Sequence, residues 1–381
     1  MSRLRILALT LFIFAVVPAA RAYPSFISYG YGSCLSCHFN PLGNGPLTDY
    51  GRAVSATAIS GKPFYDLKAT DDELGESSGF LGAATKHLPD FVRPSVQYRG
   101  LILASRIQDG PTWRRYTMKA DAQLVLRAPE DKIVASGTLG YIPALSPGDN
   151  TLISREHFVG ARFGENWGAY AGLMDIAYGL RIPDHNAVNR RNTGLAQNDQ
   201  THGVLGHYTS EKLEAAAHAF VGNLTQDAAL RPKGVAATAE CQVWEKNRLG
   251  VSLLRSSNDF RTNTLGAVHH RIQFREGSGL ISEAGLIRTV TSAPSTQTGP
   301  YLFAQALHRI FRGFHLIGTA EYASAQFSGA DKTYRLAPGI QWFVMQRVEL
   351  RLDLSFAWRR GVNGSPNTFS FDGLGQTALT F

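Results

Sequence analysis

The sequence predicts an all-β chain, a transmembrane β-barrel of about 16 strands that follows a small N-terminal domain. Three observations carry that prediction. From residue 95 onward apolar and polar residues alternate with a period of two, short and long connections take turns, and the final alternating stretch ends on the aromatic Phe381. The composition agrees. Of 381 residues, 44% are hydrophobic and 18% charged, with 38 glycines, which excludes a disordered chain, and no later apolar window is long enough for a membrane helix. At about 150 residues per domain the length suggests two or three domains, although large barrels regularly exceed that size as one unit. Three cysteines exclude a disulfide scaffold. The net charge of +8 is scattered, and Arg3, Arg5 and Arg21 fall in a segment expected to be removed, so nucleic acid is not an expected partner.

Residues 1–22 read as a signal peptide. A basic start at residues 1–5, an apolar run at 6–17 and the cleavage pattern Ala20-Arg21-Ala22 follow one another. The run stops at Pro18, short of the about 20 apolar residues that span a bilayer, so a retained anchor is the weaker reading.

Residues 23–58 contain Cys34-Leu35-Ser36-Cys37-His38, the C-x-x-C-H pattern of covalent c-type haem attachment. The spacing lets one helical turn present the sulfurs of Cys34 and Cys37 to one edge of a porphyrin, while His38 beside them ligates the iron as proximal ligand. The carbonyl of Pro41 is a candidate acceptor for the other ring nitrogen of His38, the bond that fixes a metal-bound tautomer. One covalent haem c per chain is expected, in a monohaem cytochrome c-like domain. The rival reading, a thioredoxin-like redox pair, needs a β-α-β pattern that is absent. So short a domain cannot bury an adequate core alone, and haem is expected to be its core. The distal ligand is open. No Met lies between Met1 and Met118, and His87 is the one other histidine before the barrel. A solvated linker His87, His87 as distal ligand, a barrel side chain and an open site are the alternatives.

Residues 59–94 read as a linker or plug, acidic and polar at 70–78 and small and flexible at 79–85. The barrel is assigned to residues 95–381. Within 116–127, Tyr116, Met118, Ala120, Ala122, Leu124 and Leu126 alternate with Lys119, Asp121, Gln123 and Arg127. Within 348–359, Val348, Leu350, Leu352, Leu354, Phe356 and Trp358 oppose Glu349, Arg351, Asp353 and Arg359. Each stretch has about the 9–11 residues that a tilted strand needs to cross a bilayer. Soluble sandwiches alternate too, so connection lengths decide. Short ones fall near 128–131, 164–166, 210–212, 245–247, 275–278, 312–313 and 345–347. Longer polar ones fall near 106–112, 143–151, 178–200, 222–234, 256–263, 291–299, 327–332 and 360–367. Short periplasmic turns and longer external loops are the pattern of outer-membrane barrels, and an even strand count returns both termini to the periplasm. A barrel of about 16 strands is wide enough for an aqueous lumen.

Three further groups are assigned. Cys241 lies on the apolar face of Val235, Ala237, Ala239 and Val243 and reads as a small hydrophobe. His269 and His270 point to opposite faces, with His269 on the lumen side beside Arg271 and Gln273. The long loop at 181–202 contains Asp184, His185, Arg190, Arg191, Asp199 and His202, and reads as a solvated or inward-folded constriction, with a ferrous-iron site as the alternative. No P-loop, dinucleotide fingerprint or Ser-His-Asp motif is present.

The leader, a single C-x-x-C-H near the mature N-terminus and a barrel ending in Phe381 together resemble the fused cytochrome-porin family of bacterial outer-membrane proteins, the family of outer-membrane iron oxidases. Cys34, Cys37 and His38 match its haem motif, and the barrel matches by pattern. The resemblance implies an electron conduit in the outer membrane, with its haem at the periplasmic side or within the lumen. Electrons would pass from an extracellular donor, ferrous iron first, to a soluble periplasmic cytochrome or another carrier. A diffusion porin whose haem domain is a plug, sensor or structural element, and a periplasmic or secreted β-rich cytochrome, are the competing expectations.

Overall fold

The computed structural model describes residues 28–43, 45–80, 82–107, 110–142, 151–182, 184, 186–292, 295–327, 331–361 and 366–381. The expected signal peptide and His185 lie outside them. Among the described residues no helix is long and apolar enough to cross a membrane.

Strands form one closed antiparallel ring. They are β1 (Val92–Ile107), β2 (Gly110–Arg127), β3 (Ile133–Ile142), β4 (Thr151–Ile153), β5 (His157–Phe163), β6 (Trp167–Met174), β7 (Thr201–Thr209) and β8 (Leu213–Phe220). There follow β9 (Lys233–Trp244), β10 (Asn247–Ser257), β11 (Arg261–Arg275), β12 (Ser278–Thr291), β13 (Thr296–Phe311), β14 (Phe314–Ser324), β15 (Lys332–Met345), β16 (Val348–Arg359) and β17 (Thr368–Thr380). β17 closes on β1 with Gln97 opposite Thr380 and Arg106 opposite Phe371. β4 and β5 both pair with β3, at Gly140 opposite Ile153 and Gly137 opposite His157, so they are two lengths of one stave and the ring has sixteen. Closure leaves no unpaired sheet edge.

The predicted faces of β16 are observed: Leu352 is 45% exposed and Asp353 2%. Alternation therefore sorts an apolar exterior from a polar interior. Aromatic rings ladder across neighbouring strands near both ends of the exterior. Phe311, Phe314 and Trp342 stand at the short-turn end, and Tyr322, Tyr334, Trp358 and Phe369 at the other. From Phe314 to Tyr322, β14 climbs roughly 26 Å at about 3.3 Å per residue. A tilt of about 35–45° shortens that to about 20 Å along the membrane normal, somewhat under the apolar band of about 25 Å between aromatic girdles of membrane barrels.

Connections follow the expected asymmetry with three corrections, two of them where only residues 258–260 separate β10 from β11 and only residues 292–295 separate β12 from β13, in place of the longer loops expected near 256–263 and 291–299. The loop expected near 106–112 is tight, because β1 and β2 stay paired as far as Ile107 opposite Gly110. Gly110, at φ +112°, takes the reversal in a backbone region that other residues rarely adopt.

Two segments enter the ring from opposite ends. At the short-turn end sits the chain from Ser28 to the start of β1, with a 3-10 turn at Cys34–Ser36, helix α1 (Asp49–Val54) and helix α2 (Asp71–Glu76). Thr48 caps α1 through a 3.0 Å bond from Gly51 N, and Thr70 and Glu73 form a capping box on α2. From the other end, the described residues among 175–200, between β6 and β7, fold inward, with α3 (Val188–Arg191) at their centre. Ile176, Tyr178, Leu180, Ile182, Val188 and Leu195 pack on inward residues of the far wall, including Phe220, Leu265, Tyr301 and Phe303.

Candidate functional site

The Cys34–Ser36 turn is short and fully bonded. Cys37 N donates to Cys34 O at 3.1 Å and His38 N to the same oxygen at 2.9 Å, so one turn carries both cysteines and delivers His38 immediately after. The chain then doubles back: His38 bridges Leu47, and Thr48 N donates to Cys37 O at 2.9 Å. That return lays α1 over the turn. A Cβ on Gly51 would stand 2.8 Å from Cys37 Cα and closer still to its carbonyl oxygen, so a glycine is what permits the contact.

Barrel side chains hold this segment from around the ring. Ser33 Oγ donates to Glu214 Oε1 on β8 at 3.2 Å, and Arg271 on β11 donates to Gly32 O at 3.1 Å. Gln273 donates to Ser28 O at 2.6 Å, and Asn40 to Glu156 Oε2 at 2.6 Å. Further out, Arg93 grips Asp49 at 2.8 Å, while Arg312 donates to Ser60 O at 2.8 Å and Ala56 O at 3.1 Å. Phe39 and Leu42 bury against Val125, Val134, Phe158 and Leu205. This corrects the expectation that haem alone would be the domain's core, since the inner wall of the barrel supplies apolar contacts that so short a segment lacks.

Besides a cavity of about 250 Å³ along Ser33, Leu35 and Ser36, two cavities border Cys34 and His38 respectively. One, of about 80 Å³, is lined by Cys34, Leu180, His207, Glu214, His269 and Arg271. The other, of about 260 Å³, is lined by His38, Lys119, Asp121, Arg155 and Arg190 among others. Burial pushes the Cys34 thiol up to about 12 and the Cys37 thiol up to about 11. Both are neutral near pH 7, which is not the poised thiolate of a dithiol redox pair.

The donor set fits a covalent haem c. Cys34 and Cys37 are free, they share one turn with His38, and two imidazoles, His207 and His269, are buried beside Cys34 with Nδ1 atoms that have no hydrogen-bond partner. His87 is exposed at the end of the 3-10 turn Gly82–His87 and lines neither cavity. Cys241 faces outward on β9, its sulfur 3.6 Å from Leu249 O. His269 faces the lumen with Nε2 3.5 Å from Glu240. In the inward loop Asp184 stands 3.9 Å from Arg335, and among the described residues no cluster of His, Cys, Asp and Glu is arranged to hold a metal ion. Glu214, His207, Asn40 and Gly51 were not singled out from the sequence. His207 shares inward parity with Leu205 and Gly203, and that parity was the signal available.

No family model and no curated protein matches the sequence. The fold does match solved structures. OmpT, an outer membrane protein of Vibrio cholerae, aligns with TM-score 0.60 at 10% identity over 76% of this chain and 99% of its own. An anion-selective porin from Comamonas acidovorans aligns with TM-score 0.57 at 8% identity, over 76% and 99%. The outer membrane channel DcaP of Acinetobacter baumannii aligns with TM-score 0.54 at 10% identity, over 76% and 97%. The chain is thus a closed sixteen-stave barrel with the fold of outer-membrane porins.

Proposed function

We propose that this protein is an outer-membrane barrel that conducts electrons through one haem c attached at Cys34 and Cys37 and ligated by His38. The observation that carries the reading is the C-x-x-C-H turn bonded to the inner wall at Glu214 and Arg271, with the described residues among 175–200 folded in from the other end. Such a lumen is poorly suited to free diffusion and well suited to enclosing a cofactor. The haem would supply a one-electron couple. The polypeptide's part is to hold the attachment turn, limit water and bring an outside donor near, because the hydrocarbon core is about 30 Å thick and one macrocycle cannot bridge it. Lumen polarity and burial would set the potential. The donor is extracellular, ferrous iron first among candidates, and the acceptor a soluble periplasmic cytochrome.

A second reading, a diffusion channel whose N-terminal segment is a plug, is favoured by the likeness to an anion-selective porin and an outer membrane channel. Reconstitution in proteoliposomes with a trapped acceptor separates the two. The conduit reading expects an impermeant external reductant to reduce the haem while small solutes stay out. Reduction only by permeant reagents, together with free solute flux, would replace it with the channel reading.

A further inference from the structure

We propose that the loop at residues 62–69 and helix α2 form a docking surface for a soluble electron carrier with a basic face; the inference rests on the conduit reading above and gives its periplasmic partner a place and a charge. Phe64 and Tyr65 are each 72% exposed and Leu67 69%, and the two rings meet edge to face at 5.7 Å. A contiguous exposed apolar patch marks an interaction site, where a lone exposed residue would not. The exposure is built in. Gly61 N donates to Phe343 O at 2.8 Å at one end of the loop, and at the other the capping box of Thr70 and Glu73 starts α2. Between them Asp66 N donates to Pro63 O at 3.0 Å and Ala69 N to Asp66 O at 3.3 Å, while Pro63 is buried and Ala69 packs with Ala56 and Leu74. Anchored on both sides, the loop holds its rings outward in a fixed arrangement, so little ordering cost remains for binding. The contact with Ala56 also ties this surface to the segment that carries the C-x-x-C-H turn and α1.

Charge identifies the occupant. Residues 62–76 contain five acids, Asp66, Asp71, Asp72, Glu73 and Glu76, against Lys62 and Lys68, a local reversal in a chain of net charge +8. All five acids are exposed. Bilayer interfaces draw aromatic rings together with Lys and Arg, so an acidic collar fits them poorly. A small apolar centre with a charged rim is instead the form of a weak, electrostatically steered encounter, the kind that electron carriers make. Arg312, in the short turn between β13 and β14, pairs with Asp71 at 2.8 Å. That sets the surface at the short-turn end, which faces the periplasm in outer-membrane barrels.

The experiment places the full chain, matured with haem, in phosphatidylcholine nanodiscs. It measures association and dissociation rates of a lysine-rich soluble cytochrome c beside the same carrier with its lysines succinylated. The wild type is expected to bind the basic form and not the succinylated one, with association slowing about tenfold as salt rises from about 20 to about 200 mM. Asp66→Asn with Asp72→Lys keeps the side-chain oxygen that accepts from Lys68 N and spares the partners of Arg312 and Thr70. It should slow association severalfold with dissociation little changed. Phe64→Ser with Tyr65→Ser should instead speed dissociation and leave association near the wild-type rate. Heat-dependent gel mobility checks that each variant is folded. Equal binding of the succinylated carrier, rates indifferent to salt, or variants that bind as the wild type does overturn the docking surface, while covalent haem staining keeps the reading beneath it. Binding in detergent that disappears in the nanodisc assigns the patch to lipid and overturns the surface too. Absence of haem staining in the wild type overturns the conduit reading, and the electron carrier with it.

Discussion

At the scale of single residues, the C-x-x-C-H turn depends on a glycine that makes no chemistry of its own. Gly51 lets α1 lie against Cys37, and the atoms that a new methyl group would strike are backbone atoms, which cannot rotate aside. Overpacking of this kind costs about 1–3 kcal/mol. Gly51→Ala is therefore expected to lower covalent haem staining and leave the barrel folded, as read by staining and by heat-dependent gel mobility. Gly137 in β3 has nothing within 4 Å of a built Cβ, so Gly137→Ala should change neither. Equal staining in the two variants would show that α1 can back away from the turn without consequence. The outer face offers a complementary test in β16. Leu352→Lys puts a charge on the apolar exterior, where the midplane cost is about 2–4 kcal/mol, and should reduce the yield of folded barrel. Arg351→Lys keeps an inward charge beside Asp353, which Arg351 now meets at 2.7 and 3.0 Å, and should fold.

At the scale of elements, β-strands were legible and the segments inside them were not. A strand exposed outward and solvated or packed inward writes its register into every second residue, as Leu350, Leu352 and Leu354 do against Arg351 and Asp353. The inward loop has no such period. Its apolar residues are spaced irregularly because they meet a curved wall built from strands distant in sequence, so the 181–202 stretch allowed both a solvated loop and a constriction. The haem motif was legible as a motif, yet its partners Glu214 and Asn40's acceptor Glu156 were hidden among other inward polar residues. What fixes the loop is Glu283 on β12, which accepts from Leu180 N at 2.5 Å, Tyr301 Oη at 2.5 Å and Asn189 Nδ2 at 3.3 Å. Each buried donor left unsatisfied costs about 1–3 kcal/mol. Glu283→Ala should therefore release the loop while the staves hold, and limited trypsin digestion should cut after the exposed Arg191 faster than in the wild type. Unchanged cleavage would place the loop's anchorage in its apolar contacts instead.

For the whole molecule, the decisive question is whether the N-terminal segment is a permanent stopper or a hinged one, and the strength of its outer anchors bears on that. Arg312 reaches Ser60 O, Ala56 O and Asp71 at once, and Arg93 holds Asp49. These contacts are unequal. The Asp71 pair is largely exposed and worth little, as surface ion pairs are, whereas the bonds to backbone carbonyls are partly buried and contribute about 0.5–1.5 kcal/mol each. Removing both arginines deletes several such bonds, and every 1.4 kcal/mol is tenfold in an equilibrium. The undocked population should rise by about tenfold or more, while the ring of sixteen staves, whose strand pairing runs through backbone and not through these two side chains, keeps its stability. In planar bilayers the wild type is expected to show rare, small openings, and Arg93→Ala with Arg312→Ala to open more often at the same thermal midpoint. The same double variant should admit a permeant reductant to the haem faster, since access and docking are then one equilibrium. If the wild type already conducts steadily at the level of an open barrel of this width, the segment is not a stopper, and the channel reading replaces the conduit reading.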